Sequence, residues 1–251
     1  MKILVLVKQI PDPDHALGLN GDTGLVDSLA GEYRMDRYSA QAVEEALTLR
    51  DALGEARIHA LCAGPAEWEP AVRRAVAMGA DSGTLLSTGE APARGMAAAL
   101  AIAEHVRDMG FDLILAGVAS EDIMAGITGP FVAGALDLPL AVGVVGMSVE
   151  DGVVVVEREC EGGVLERLRL DLPAVVCVQT GSRRPRYPTL SHMLRANRTE
   201  LETVEANLPP VPGRTLGYGE PAAARAGTVL EGSAEDKAGE LYRILKGRGL
   251  L

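Results

Sequence analysis

Residues 57–79 read RIHALCAGPAEWEPAVRRAVAMG and contain one strand, one turn and one helix. The apolar run 57–63 is typical of a parallel strand that is buried on both faces. Gly64-Pro65 predicts a turn, and the spacing of apolar residues predicts a helix over 66–78 that ends at Gly79. The stretch therefore predicts one strand–helix unit of an α/β fold.

The same unit recurs on both sides of this stretch. The segment 11–33 is rich in Pro, Asp and Gly and is predicted to form loops or a hairpin. Strand and helix otherwise alternate repeatedly, which is typical of a doubly wound α/β domain with a mostly parallel sheet. Apolar runs predict further strands at 2–7, 83–87 and 111–117. Helical periodicity predicts further helices at 37–53, 92–109 and 125–136.

The pattern changes after residue 140. The runs 141–148 and 153–157 flank Asp151-Gly152, which predicts an antiparallel hairpin appended to the parallel sheet. The chain from Gly181 onward is predicted to be extended, with a terminal helix that begins at the capping residue Ser233. We therefore predict an α/β domain over 1–180 and an extended C-terminal arm over 181–251.

Composition excludes two classes of protein. The chain carries 24 Lys and Arg against 35 Asp and Glu, a net charge of −11, and only 3% aromatic residues. General nucleic-acid binding needs a basic surface and base stacking needs aromatic rings, so nucleic acid is not a predicted partner. No apolar run approaches the roughly 20 residues that a membrane span needs, so membrane insertion is not predicted. The charge is uneven, because residues 181–200 contain five arginines against one glutamate.

The cysteines indicate a reducing compartment. Cys62, Cys160 and Cys177 are odd in number, and no two are spaced as a Cys-x-x-Cys pair. This pattern favours neither a disulfide framework nor a zinc site, and the four histidines show no ligand spacing either. We therefore predict buried thiols, no metal and a cytoplasmic protein.

Ligands of a doubly wound fold bind beyond the carboxyl ends of its strands. Those ends are Lys8–Pro13, Ala63–Pro65 and Gly117–Ile123. The chain has neither a Gly-x-Gly-x-x-Gly after its first strand nor a phosphate-loop signature. The loop Gly117–Gly129, however, leads into a predicted helix, whose N-terminal N–H groups can hold a phosphate. An ordinary strand-to-helix connection is the alternative.

Residues 158–168, RECEGGVLERL, and the following Pro173–Cys177 are the most specific part of the chain. On physical grounds they predict a hairpin and a strand, and no chemistry. Their residue pattern resembles the signature of the electron transfer flavoprotein beta subunit family. Other stretches resemble that family in order and spacing over nearly the whole chain, namely Val5–Asp12, Ala42–Ala46, Gly64-Pro65, Ala75–Asp81, Pro185–Leu190 and Glu231–Ser233.

The resemblance implies a fold like that of the adenine nucleotide alpha hydrolases and two kinds of cofactor. An alpha subunit would carry a redox FAD that the beta subunit shields, here with Pro11–Pro13. The beta subunit would bind AMP, as in the simple carriers, or a second FAD, as in the electron-bifurcating members. By match, the residues of this nucleotide site are Leu6, Asp36, Arg37, Tyr38, Ser39, Ala63, Asp122, Ile123, Ala125, Gly126, Ile127, Thr128 and Gly129.

The resemblance also implies a docking surface and a function. Pro185–Leu190 resembles the family's partner-recognition loop, so that Leu190 would be an apolar anchor for an acyl-CoA dehydrogenase or another dehydrogenase. Arg186 and Arg195 would flank it. The chain would then be one subunit of a heterodimer that shuttles electrons through FAD between dehydrogenases and an acceptor. No catalytic residue is expected in the chain.

Two alternatives stay open at this point. An adenine-nucleotide-binding α/β module with a regulatory or storage role would have the same core, but it would not need residues 181–251. A hydrolase working through Asp12, Asp14 or Asp122 is the second alternative, and it lacks an evident nucleophile.

Overall fold

The computed structural model describes residues 1–20, 26–89, 95–150, 153–180, 183–212 and 227–251. The chain divides into two compact units, Met1–Leu216 and Gly217–Leu251. The predicted division at residue 180 separates a nucleotide-binding part from a partner-binding part, and it stays a prediction.

The first unit is built on one large sheet. Its strands are β1 (Lys2–Leu6), β6 (Arg57–Gly64), β7 (Ser82–Ser87), β8 (Leu113–Gly117), β9 (Leu140–Glu150), β10 (Val153–Glu159), β11 (Leu165–Leu170), β12 (Ala174–Val178) and β13 (Glu202–Glu205). Neighbouring strands are parallel from β9 through β12, β8, β1, β6 and β7 to β13, whereas β10 and β11 add an antiparallel edge next to β9. The predicted fold class, a mostly parallel doubly wound sheet with an antiparallel hairpin, is confirmed.

Helices cover both faces of the sheet, and each face has its own apolar core. Helices α1 (Arg37–Leu53) and α2 (Glu69–Met78) pack on one face around Val43, Leu47 and Val72. Helices α3 (Gly95–Val106) and α4 (Thr128–Leu136) pack on the other around Ile102 and Val132. Burial on both faces explains why the parallel strands are continuous apolar runs.

Short strands occur within the segment predicted as loops or a hairpin and at both of its ends. Strand β2 (Gln9–Pro11) pairs with β5 (Tyr33–Met35), and β3 (Leu17–Leu19) pairs with β4 (Val26–Ser28), both antiparallel. Residues 21–25 lie outside the described residues, as does the predicted turn Asp151-Gly152.

Two predicted helices are longer in the sequence pattern than in the structure. Helix α3 ends at Val106, three residues before the predicted end, because the chain turns there and Met109 donates to the Val106 carbonyl. Helix α4 begins at Thr128, not at 125, because Met124 and Gly126 have positive φ angles of 53° and 63° that a helix does not allow.

The segment after Gly181 is not extended as predicted. Residues Leu190–Arg198 form helix α5, and β13 adds to the sheet beside β7. Ala196 of α5 is buried against Val76 and Ala77 of α2, so a tertiary contact stabilises a helix that the local sequence does not reveal.

The second unit contains helix α6 (Ala234–Gly247). Ser233 caps it and forms a reciprocal capping box with Asp236, as the sequence predicts. Within the described ranges, no helix has the length and apolar character required to cross a bilayer.

Candidate nucleotide site and docking segment

The candidate site lies where the order of the sheet reverses. From β1 the chain moves outward to β6 and β7, and it then returns to β8 on the other side of β1. The crevice beyond the carboxyl ends of β1 and β8 is therefore the topological switch point, where doubly wound folds bind ligands. Lys8 follows β1, and the loop from Val118 to Ile127 follows β8.

Lys8 spans this crevice. Its Nζ lies 2.6 Å from Asp122 Oδ2 and 3.1 Å from Ser120 Oγ, both on the loop after β8. Both partners of the ion pair are mostly shielded, with side-chain exposures of 25% and 17%. The crevice thus contains one ammonium group beside a hydroxyl and a carboxylate.

Asp36 fixes the N-terminus of α1 to both loops. It is the N-cap of α1, and its Oδ2 accepts from the Ser39 N–H at 2.9 Å while its Oδ1 accepts from the Glu121 N–H at 2.8 Å. Its own N–H donates to the Lys8 carbonyl, and the Lys8 N–H donates to Ser39 Oγ. Burial raises the pKa of this carboxyl above its usual value, against the two backbone donors that lower it. Asp36 therefore acts as a structural tie, since its carboxylate is occupied by the chain itself.

Glu121 joins the same network from the loop side. Its carboxylate accepts from the Arg37 N–H at 3.1 Å and from the Arg34 guanidinium at 3.1 Å. Arg34 also contacts Asp12 at 3.1 Å, which connects the segment Pro11–Pro13 to this network. The Asp14 N–H and the Arg34 charge lower the pKa of Asp12.

The chain approaches itself closely at the floor of the crevice. A Cβ on Gly117 would lie 2.5 Å from Tyr38 Cβ, so only glycine allows α1 to pack against the end of β8. The N-cap residue of α4, Ile127, makes no side-chain cap hydrogen bond, which leaves the first N–H groups of α4, on Thr128 and Gly129, directed toward this edge. Such groups attract anions.

The docking segment, residues 186–199, lies over α1 and α2. Leu190, the first residue of α5, has 68% of its surface exposed, and Leu194 one turn later has 52%. Arg195 is also exposed. Arg186, in contrast, is paired within the chain with Glu44 and Asp51 of α1.

Comparisons with known proteins agree over most of the chain. The family model described as "Electron transfer flavoprotein domain" matches residues 23–209. A protein of Bos taurus named electron transfer flavoprotein subunit beta is 33% identical over 210 residues, which cover 82% of each chain. The protein of that name in Bacillus subtilis is 28% identical over 258 residues, 98% of each chain. This chain belongs to the electron transfer flavoprotein family.

Several residues that this family resemblance assigned to the nucleotide site lie together. Asp36, Ser39 and Asp122 are joined through Lys8 and Glu121, and Tyr38 packs on Gly117. Leu6 is the last residue of β1 and Ala63 is the penultimate residue of the neighbouring strand β6, while Ile123 is an exposed part of the loop after β8. Ile127, the N-cap residue of α4, lies close to Gly95 at the start of α3, and Gly129 packs on Cys177. Their role as ligands stays a prediction.

The nucleotide-site residues predicted from the flavoprotein family resemblance do not include three side chains at the crevice. Lys8, Ser120 and Glu121 are absent from the predicted set, although Lys8 bonds to Asp122 and Glu121 to Arg37. A signal was present, because Lys8 lies two residues after the end of β1 and Ser120 lies three residues after the end of β8. A ligand site at a switch point uses residues in these positions.

Proposed function

We propose that this chain is the beta subunit of a heterodimeric electron transfer flavoprotein that carries electrons from dehydrogenases to an acceptor through FAD. The observation that supports this most is the match to beta subunits over nearly the whole chain, 98% of both chains for the Bacillus subtilis protein. The relatives do not favour the alternative of a regulatory or storage module. A reducing, cytoplasmic location belongs to the same proposal and is supported by three free cysteines.

The switch-point crevice is the proposed adenine nucleotide site, for AMP or for a second FAD. The residues fit a phosphate, because the Lys8 ammonium, the Ser120 hydroxyl and the N–H groups at the start of α4 are three kinds of donor around one crevice. Asp122 holds Lys8 at the crevice, and Asp36 holds the loop. The family set of Leu6, Arg37, Tyr38, Ala63 and Ile123–Gly129 would supply the remaining walls.

The shared FAD would lie against the segment Pro11–Pro13. When bound, FAD supplies the electron-carrying chemistry. The chain contributes shielding and a fixed charge pattern, since Arg34 ties Asp12 to the Glu121 network. The link between Asp12 and Glu121 would couple the shape of this surface to the nucleotide crevice.

The docking segment is the proposed contact for an acyl-CoA dehydrogenase or another dehydrogenase. Leu190 and Leu194 are large exposed apolar residues on one face of α5, four residues apart. Arg195 adds positive charge beside them. An apolar anchor with a charged rim is typical of transient protein interfaces.

A nucleotide count on the purified heterodimer tests this proposal. The chain should be co-expressed with its alpha subunit, the complex denatured, and the released nucleotides quantified by chromatography. One FAD and one AMP per heterodimer indicate a simple carrier, and two FAD indicate a bifurcating one. A single FAD without a second adenine nucleotide would contradict the site in this chain, and failure to form a flavin-containing heterodimer would contradict the function.

A further inference from the structure

One buried carboxylate holds the beginning of the docking segment. Glu44 of α1 is only 6% exposed, and it accepts from the Arg186 backbone N–H at 2.8 Å. It also accepts from the Arg186 guanidinium, from Nε at 3.0 Å and from Nη2 at 3.0 Å. This forked arrangement fixes both the position and the direction of Arg186.

Further polar contacts fix the rest of the segment. Asp51, two turns along α1, accepts from the same guanidinium at 2.9 Å. The Arg74 guanidinium lies over the Tyr187 ring, 4.4 Å from its centroid. At the other end, Arg73 donates to the carbonyls of Ala196 and Thr199 at 2.7 and 3.0 Å. The segment is thus attached at its beginning and at the C-terminus of α5.

Apolar packing holds only the C-terminal part of the segment, where Ala196 is buried against α2 and Met193 packs on the same cluster. An open cavity of about 540 Å³ lies between the beginning of the segment and the ends of α1 and α2, and Arg50 and Asp81 are among the residues that line it. Leu190 and Leu194 are exposed. Discrete hydrogen bonds and ion pairs therefore hold the beginning of the segment, where Leu190 lies.

We propose that Arg186 is a positioning residue for partner docking and that Glu44 holds Arg186 in place. This inference rests on the proposed function and changes the role expected for Arg186, which the family resemblance placed among the partner contacts. Two carboxylates compensate the charge of Arg186, and the hydrogen bond that its guanidinium donates to Glu44 raises the pKa of the guanidinium above its usual value. Arg186 thus adds little net charge to the surface that a partner meets, whereas Arg195 supplies the steering charge.

The test uses the heterodimer with its alpha subunit and compares Glu44→Gln and Arg186→Lys with Arg184→Ala. Gln keeps the shape of Glu44 without its charge, and Lys keeps the charge of Arg186 without its fork. Arg184 is an exposed arginine of the same stretch and serves as the matched control. The readouts are hydrogen exchange in peptides from 186–198 and the flavoprotein concentration that half-saturates an acyl-CoA dehydrogenase reduced by its acyl-CoA.

The clamp consists of Glu44, Asp51 and Arg186. Both clamp variants, Glu44→Gln and Arg186→Lys, should increase hydrogen exchange in 186–198 and raise the half-saturating concentration about tenfold, because each loses one charge-assisted hydrogen bond. The maximal rate and the flavin content should stay unchanged in both variants. In Arg186→Lys the dependence of half-saturation on ionic strength should stay unchanged as well, because Lys keeps the charge of Arg186. Wild-type behaviour of Arg186→Lys, or a shallower salt dependence in it, would overturn the proposal.

Two further variants keep the test decisive. If Glu44→Gln does not yield heterodimer, Asp51→Asn at the exposed end of the clamp should show the same changes to a smaller degree. Leu190→Ala distinguishes an error about docking through this segment from an error about the positioning role of Arg186. If it leaves electron transfer unchanged, docking through this segment is wrong. If it slows transfer while the clamp variants do not, only the positioning role is overturned.

Discussion

The Asp36 carboxylate accepts a 2.8 Å hydrogen bond from the backbone N–H of Glu121, a residue 85 positions further along the chain. The same carboxylate caps α1 through the Ser39 N–H. One buried side chain, only 1% exposed, therefore joins the helix on one side of the switch point to the loop on the other. The shape of the crevice proposed to bind the nucleotide depends on this connection.

Replacing Asp36 with Ala should open the crevice and destabilise the protein. Loss of an N-cap together with an unpaired buried N–H costs roughly 2–4 kcal/mol of unfolding free energy. The adenine nucleotide retained on purification should fall in parallel. Thr189→Ala removes the exposed cap of α5 and should cost about 1 kcal/mol without loss of nucleotide. Equal nucleotide retention in both variants would contradict the role of Asp36.

Gly117→Ala should distort the same crevice from its floor. The added Cβ would meet Tyr38 Cβ at 2.5 Å and the Ala119 carbonyl at 3.0 Å, a clash that costs about 1–3 kcal/mol. Gly134→Ala in α4 is the matched control, because nothing lies within 4 Å of its new Cβ. That change should stabilise the helix by up to about 1 kcal/mol. Chemical denaturation of both variants measures the difference, and a neutral Gly117→Ala would refute the close packing.

Acid should destabilise the protein through His59, which lies on β6 beside β7. Its ring contacts Ser82 Oγ at 2.8 Å and Thr84 Oγ1 at 3.0 Å, and burial lowers its pKa from the ordinary 6.5. The unfolded chain then binds a proton before the folded chain does, so the stability present above pH 6.5 is lost as the pH falls through the folded pKa. His59→Gln should flatten this part of the stability profile. An unchanged profile would show that other groups cause the acid sensitivity.

The three cysteines should differ in reactivity. Burial raises the pKa of Cys62 and of Cys177 to about 12, so neither forms a thiolate near neutral pH, while Cys160 is partly exposed. Brief alkylation of the native protein at pH ~8, followed by peptide mapping, should modify Cys160 alone. Denaturation should expose all three. Rapid modification of Cys62 in the native state would be inconsistent with its place in the core.

The sequence predicts the regular parts of the fold well. Helix α1 has the predicted bounds, since its apolar spacing and the left-handed Gly54 that ends it are local signals. The doubly wound order follows from the alternation of strands and helices. Helix α5 is missed although Leu190, Met193 and Leu194 have helical spacing, because it is only nine residues long and follows a stretch rich in Pro and Arg that indicates an extended chain. The contact of Ala196 with α2 adds to its stability.

The sequence predicts where the candidate site lies, but not which of its side chains contact one another. Strand ends identify the loops after β1 and β8, but Lys8 and Asp122 are 114 residues apart, and nothing local indicates that they pair. The same holds for Glu44 and Arg186, which are 142 residues apart. Such contacts depend on tertiary structure, so the family resemblance placed Arg186 at a partner surface where the structure pairs it with Glu44.

The most direct test of the central claim is electron transfer to the flavin of the purified heterodimer. An acyl-CoA dehydrogenase reduced by its acyl-CoA is mixed with the heterodimer, and the flavin absorbance of the heterodimer is followed in time. An electron carrier predicts that this flavin is reduced and that Leu190→Ala slows the reduction without changing the flavin content. A heterodimer without flavin, or one whose flavin stays oxidised beside reduced dehydrogenase, would contradict the account.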